Sequence, residues 1–236
     1  MSASLLNFRS YLPEDAGPRL KTYQYHGSDK SLIYKYMWKP LCNWAVEKLP
    51  MWLAPNVITV TALVLVIITH IIMWWFMPNL QIDQDSPSDD VPGWVFISTG
   101  IALFLYQFLD NMDGCQARRT GSSSPLGLLM DHGCDAFNAV VGSLSVAAAV
   151  QAGPTWKSWT ALMCAVIVFF LNTWEEYYRG ALILPIINGA NEGIMIAIAI
   201  YFTTAWYGPS FWVDNSVSIP VSSLPLFLQQ ESVAGL

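Results

Sequence analysis

Residues 51–77 read MWLAPNVITVTALVLVIITHIIMWWFM, a run with no Asp, Glu, Lys or Arg. An α-helix rises about 1.5 Å per residue, so about 20 apolar residues cross the ~30 Å hydrocarbon core of a bilayer. Runs of similar character recur downstream, and a soluble domain of 236 residues has no room to bury several of them. Charged residues make up only 12% of the chain and hydrophobic ones 54%, whereas a soluble domain is about 25% charged. In lipid every backbone polar group must be satisfied within the protein. The expected fold is therefore all-α, a polytopic membrane helical bundle.

The pattern predicts about five transmembrane helices. The first lies in 51–77, with Pro55 at its start and Trp74 and Trp75 at the far interface. A second runs from about 94 into two aspartates, a third covers about 128–150, a fourth roughly 157–178, and a short fifth 193–207. Ahead of them, after an irregular stretch over 1–28, SDKSLIYKYMWKPLCNWAVEKLP reads as an amphipathic helix. Ser28 is its expected cap, and Leu32, Tyr36, Lys39 and Asn43 set its spacing. Its aromatics and lysines suit the membrane–water interface. The 179–192 segment reads as a loop or broken helix. The organisation expected is a cytosolic arm with the interfacial helix (1–50), a membrane catalytic domain (51–207) and a tail (208–236) interrupted by Pro209, Pro220 and Pro225.

Charge placement sets an orientation. Of the eleven Lys and Arg, ten lie in the N-terminal arm, at Arg118 and Arg119, or at Arg179; alternating spans bring these to one side, predicted to be cytosolic. The opposite side receives the acidic loop with Asp83, Asp85, Asp89 and Asp90. No basic footprint suited to nucleic acid is present, and the polar, mixed first 50 residues hold no cleavable signal pattern, so the first span is expected to direct insertion. The four cysteines have no metal-ligand spacing and read as reduced thiols, mostly buried.

The second run ends in DNMDGCQARR, residues 110–119. Carboxylates inside a membrane are costly and point to function. Here there are two pairs, Asp110 with Asp113 and Asp131 with Asp135. At about 100° per residue, Asp110, Asp113, Gly114, Ala117 and Arg118 share one arc of a helix. Gly127, Asp131 and Asp135 share a face of the next. The short connection between them makes the helices antiparallel neighbours, so four carboxylates can converge near one membrane surface. One arginine, Arg118, cannot neutralise four. All-oxygen ligands favour hard cations such as Mg²⁺ or Mn²⁺, and two such ions could clamp a displacement at phosphorus. Gly114 and Ala117 remove bulk beside the carboxylates, Arg118 offers a donor fork to a phosphate or a carboxylate, and Arg119, further round, is expected to face headgroups.

DNMDGCQARRTGSSSPLGLLMDHGCD resembles the signature of the CDP-alcohol phosphotransferase family, D-x2-D-G-x2-A-R-x8-G-x3-D-x3-D. Asp110, Asp113, Gly114, Ala117, Arg118, Gly127, Asp131 and Asp135 occupy its fixed positions. The flanking stretches HGSDKSLIYKYMWKP, MWLAPNVIT and TWEEYYRGALILPIINGANEG are similar to the eukaryotic choline/ethanolamine phosphotransferase branch, so the resemblance covers about residues 22–195. It implies transfer of phosphocholine or phosphoethanolamine from CDP-choline or CDP-ethanolamine to diacylglycerol, with release of CMP. It implies metal binding, of two ions, by Asp110, Asp113, Asp131 and Asp135, and donor contacts at Gly114, Ala117, Arg118 and Gly127. It also sets Asn56 near the nucleotide, where a simple helix-start role is the alternative. The partners implied are the bilayer, the two substrates and a second copy in a homodimer. The location implied is endoplasmic reticulum or Golgi.

Two roles stay open between residues. His132 and Asp135 are both candidates for the base that takes the acceptor's proton; His132 is favoured because its unperturbed pKa near 6.5 suits the task and a metal-bound carboxylate is a poor base. Glu192, with Glu175 and Glu176 as further acids, is a candidate to meet the cationic headgroup, against a loop brace to Arg179 or plain solvation. Branch members are longer, with a core of six spans against five here. The chain is thus expected to be truncated relative to the family, and a non-catalytic homologue that binds metal, CDP-alcohol or an active partner is one alternative function. A membrane prenyltransferase, which also pairs aspartates for Mg²⁺–diphosphate, is another.

Overall fold

The computed structural model describes residues 20, 25–82 and 91–213. The irregular stretch expected before residue 20, the core of the acidic loop and most of the tail lie outside these residues. The predicted spans become α2 (Pro55–Phe76), α3 (Gly93–Thr120), α4 (Pro125–Ala149), α5 (Trp156–Arg179) and α6 (Ile194–Tyr207), preceded by a short α1 (Lys39–Val46). Three of these, α2, α3 and α5, are long and apolar enough to cross a membrane. At 25 residues α4 has the length, but Asp131, His132, Asp135 and Asn138 dilute its apolar character. At 14 residues α6 is short, and the wide helical turn Gly189–Gly193 runs directly into it.

Starts and stops follow local chemistry. Pro55 and Pro125 occupy first-turn positions of α2 and α4, where a missing N–H costs nothing. Ser124 caps α4 by accepting from the Gly127 N–H at 3.1 Å. Gly121 closes α3 in the left-handed region at φ +67°, which glycine enters without a Cβ penalty.

The helices alternate in direction. At one end Met73, Met77, Val91, Val95, Phe96, Ala148, Ala149, Ile198 and Tyr201 form one cluster. At the other, Cys42 and Val46 of α1 pack with Ile58 and Met112. Between helices in lipid, small residues and interhelical hydrogen bonds replace the hydrophobic drive. Gly93 lets α6 come close: a Cβ there would stand 3.0 Å from the Ala205 carbonyl oxygen. His70 of α2 and Ser145 of α4 share a 2.7 Å hydrogen bond.

The N-terminal arm departs from the expectation in three ways. Gly27–Asp29 is a strand, β1, paired in parallel with β2 (Leu182–Leu184), so part of the stretch read as irregular and part of the 179–192 loop hold each other. Two three-residue strands far apart in sequence carry no alternation that a sequence pattern could reveal. The helix is capped by Ser31, whose Oγ accepts from Tyr34 N at 3.1 Å, and Ser28 is in the strand instead. Third, the arm helix is half docked: Trp38 is fully buried, with its ring 5.1 Å from that of Phe104 on α3, while Leu32, Tyr36 and Trp44 stay exposed.

Arg119 also departs from its expected place. Its Nη1 donates to the carbonyls of Val46 at 2.6 Å and Leu49 at 2.8 Å, so it caps the C-terminus of α1 rather than facing headgroups. At a helix C-terminus the last carbonyls lack i+4 donors; among the described residues, that of Val46 otherwise receives only the Leu49 N–H at 3.2 Å. Buried Gln116 adds donations to the carbonyls of Pro50 at 3.0 Å and Leu53 at 3.1 Å. All four cysteines are free; Cys42 and Cys134 are buried, but Cys164 is exposed on the apolar face of α5.

Candidate metal and substrate site

The docked arm, α2, α3 and α4 meet where the acidic motif ends. One carboxylate oxygen from each of Asp110, Asp113 and Asp131 lies within 4.8 Å of the others. Asp113 is 7% exposed and accepts from the hydroxyl of Thr59 on α2. Asp110 Oδ1 is buried with no hydrogen-bond partner. Asp135 stands outside this trio: its Oδ1 accepts from the buried Tyr106 hydroxyl at 2.8 Å, yet it is close enough to act electrostatically on Asp110.

Among the described residues, the ion pairs are His132 with Glu176 and Arg179 with Glu175, so none of the four aspartates is paired with a base. Arg118 folds back over its own helix: Nη2 reaches Cys115 Sγ at 3.2 Å, and Nη1 is 3.4 Å from where a Gly114 Cβ would stand. Buried like charges without a counter-charge are unfavourable. A hard divalent cation fits this donor set: three converging carboxylates, one of them with an orphaned oxygen, and no nitrogen or sulfur among them.

The remaining predicted residues divide. Asn56 and Gly127 come together across α2 and α4, with Asn56 Oδ1 3.7 Å from a would-be Gly127 Cβ. Gly114 and Ala117 are half-buried and Arg118 is exposed at the same end. His132 turns away from the trio: its Nε2 is 3.5 Å from Glu176 Oε2 on α5, and its ring meets Phe169 edge-on at 6.3 Å. Glu175 braces Arg179 at 3.0 Å.

Glu192 sits in a separate polar knot. It accepts from Ser31 Oγ at 2.6 Å and from Asn188 N at 2.9 Å, while Asn188 Oδ1 accepts from Asn191 N at 2.9 Å, a reciprocal cap on the helical turn. Asp29 accepts from Asn191 Nδ2 at 2.6 Å, and Asn191 Oδ1 accepts from Gln107 at 3.4 Å, one turn before Asp110. Burial pulls the Glu192 pKa up, but the hydrogen bonds from Ser31 and Asn188 outweigh it and hold the carboxyl below its usual range. On α1, burial pushes the Cys42 thiol up to about 12, so it is an inert packing group beside the motif.

Thr59, Tyr106 and Gln116 were not foreseen, and Glu176, expected only as a further acid for the headgroup, stands beside His132. Tyr106 had a signal, since it precedes Asp110 by four residues and so shares its face. Thr59 had none, because its contact with Asp113 lies on another helix.

Residues 52–219 match the CDP-alcohol phosphatidyltransferase family. The chain belongs to that family. It is 37% identical over 213 residues to choline/ethanolaminephosphotransferase 2 of Arabidopsis thaliana, covering 89% of this chain and 52% of the relative. It is 33% identical over 198 residues to choline/ethanolaminephosphotransferase 1 of Saccharomyces cerevisiae, covering 84% and 49%. An uncharacterised family protein of Dictyostelium discoideum is 36% identical over 220 residues, covering 93% and 53%. The chain thus spans about half the length of these relatives.

Proposed function

We propose that this chain carries the catalytic core that transfers phosphocholine or phosphoethanolamine from CDP-choline or CDP-ethanolamine to diacylglycerol, giving phosphatidylcholine or phosphatidylethanolamine and CMP. The observation that carries this reading is the convergence of Asp110, Asp113 and Asp131 with no balancing base among the described residues. These three and Asp135 would hold two Mg²⁺ or Mn²⁺ ions, which when bound neutralise diphosphate charge and favour displacement at phosphorus. Gly114 and Ala117 leave room for the nucleotide, Arg118 can swing from Gly114 to a phosphate oxygen, and Asn56 and Gly127 border the same space.

His132 takes the proton. Its Nε2 faces the Glu176 carboxylate at 3.5 Å, so Nδ1 is left to receive the diacylglycerol hydroxyl proton and the carboxylate would stabilise the imidazolium that forms. The alcohol oxygen then forms its bond to the phosphorus bearing the choline or ethanolamine, and CMP departs with the electron pair of the broken P–O bond. Asp135 is the second choice as base, since Tyr106 already occupies one of its oxygens. Glu192 keeps its negative charge while bracing the arm and so lends a favourable field to a cationic headgroup. The site end of the bundle, with the N-terminal arm, faces the cytosol of endoplasmic reticulum or Golgi membranes.

The test is transfer from radiolabelled CDP-choline and CDP-ethanolamine by the purified full chain in vesicles containing diacylglycerol. Lipid product that needs Mg²⁺ or Mn²⁺ and falls to background in Asp131→Ala is expected. Undiminished product in that variant would sink the reading. Metal-dependent CDP-choline binding without product would instead identify a non-catalytic homologue.

A further inference from the structure

The acidic motif does not by itself fix where its carboxylates point. Two of the four are held by hydroxyls from residues outside it. Tyr106 is 1% exposed and packs with Ala62 and Val66 of α2 and with Val141 of α4. That packing leaves its ring one orientation, and the hydroxyl donates to Asp135 Oδ1 at 2.8 Å. Thr59 is 2% exposed, and its Oγ1 donates to Asp113 Oδ2. In each case one carboxylate oxygen is occupied by a neutral donor. Neither donor carries charge, so neither competes with a cation as a base would.

We propose that Tyr106 and Thr59 are positioning residues that orient Asp135 and Asp113 so that one defined oxygen of each faces the cation site. The inference rests on the metal reading of the four aspartates. It goes beyond that reading in naming the residues that preorganise two of the ligands. Partners that orient a ligating carboxylate typically change metal affinity by about ten- to hundredfold when removed. Without the Tyr106 hydroxyl, Asp135 keeps its place on α4 but loses its fixed rotamer, and a buried oxygen loses its donor.

Mn²⁺ binding by electron paramagnetic resonance tests this without any turnover, using the full chain in lipid nanodiscs. Tyr106→Phe and Thr59→Val keep the packing volume and remove only the hydroxyl. Each is expected to weaken Mn²⁺ binding about tenfold or more, with Thr59→Ser restoring it. Tyr201→Phe serves as the control for losing a buried tyrosine hydroxyl, because Tyr201 donates to the Gly142 carbonyl at 3.4 Å, away from the aspartates; its Mn²⁺ affinity is expected to match the wild type. Mn²⁺ affinity unchanged in both Tyr106→Phe and Thr59→Val, alongside wild-type binding that Asp131→Ala abolishes, overturns the positioning role and leaves the metal reading standing. Wild-type protein that binds no Mn²⁺ overturns both. Equal weakening in Tyr201→Phe shows a general packing effect and also overturns the proposal.

Discussion

At the scale of single residues, Asp110, Asp113 and Asp131 converge while Asp135 stands outside them, and the acids around them do not share one role. Glu192 has two hydrogen bonds that select its charged form. Its pKa is lowered on folding, so it adds stability at pH values above the unfolded carboxyl, about 4.3, and that contribution is lost as pH falls through the folded value. Thermal unfolding between pH 3 and 6 is expected to show this loss in the wild type and not in Glu192→Gln, whose melting temperature should be lower at pH 6 and should converge with the wild type near pH 3. A constant offset between the two proteins across that range would mean that Glu192 braces the arm without titrating. The motif positions were legible because helical arithmetic puts Asp110, Asp113 and Arg118 on one arc. Asp135 was only half legible: its face is given by the 100° rule, but the Tyr106 hydroxyl that holds it belongs to another helix.

At the scale of elements, the five helices could be read to within a few residues at most of their ends, because apolar runs bounded by Pro and Gly leave little freedom, although α3 runs on past the aspartates to Thr120. The arm could not. Its apolar and basic residues suit an interface equally well whether the helix floats or docks. What docks it are the variable positions of the motif, Gln116 and Arg119, which reach four carbonyls of the 46–53 link. A hydrogen bond to a charged donor contributes about 1.5–3 kcal/mol, and Arg119 is exposed, so the lower end applies. In Arg119→Ala, hydrogen exchange of residues 39–49 is therefore expected to speed up by about tenfold, equivalent to about 1.4 kcal/mol, while α3 keeps its protection. Faster exchange along α3 itself would show that Arg119 supports its own helix instead of the arm. Because Arg119 adjoins Arg118, docking of α1 also fixes one wall of the proposed substrate space.

At the scale of the whole molecule, alternation of the five helices and the distribution of charge make one argument. Lys30, Lys35, Lys39, Lys48, Arg118, Arg119 and Arg179 all lie at the end that holds the aspartates, and among the described residues only Lys157 lies at the other. Basic residues near span ends are retained on the cytosolic side, and the CDP-alcohols proposed as donors, being charged, would reach the site from water rather than through lipid. Both considerations point the aspartates toward the cytosol. Two exposed positions separate the sides: Ser122, in the turn between α3 and α4, and Pro154, in the turn between α4 and α5. In sealed microsomes with their cytosolic face outward, a membrane-impermeant maleimide is expected to label Ser122→Cys directly. Pro154→Cys should react only after detergent opens the vesicles, each signal being read above that of the wild-type cysteines. The opposite pattern would reverse the orientation and leave the donor no aqueous route to the carboxylates. Labelling of both in intact vesicles would mean that α4, the helix whose apolar surface is diluted by Asp131, His132, Asp135 and Asn138, does not cross the bilayer, and the alternation on which the shared site depends would fail with it.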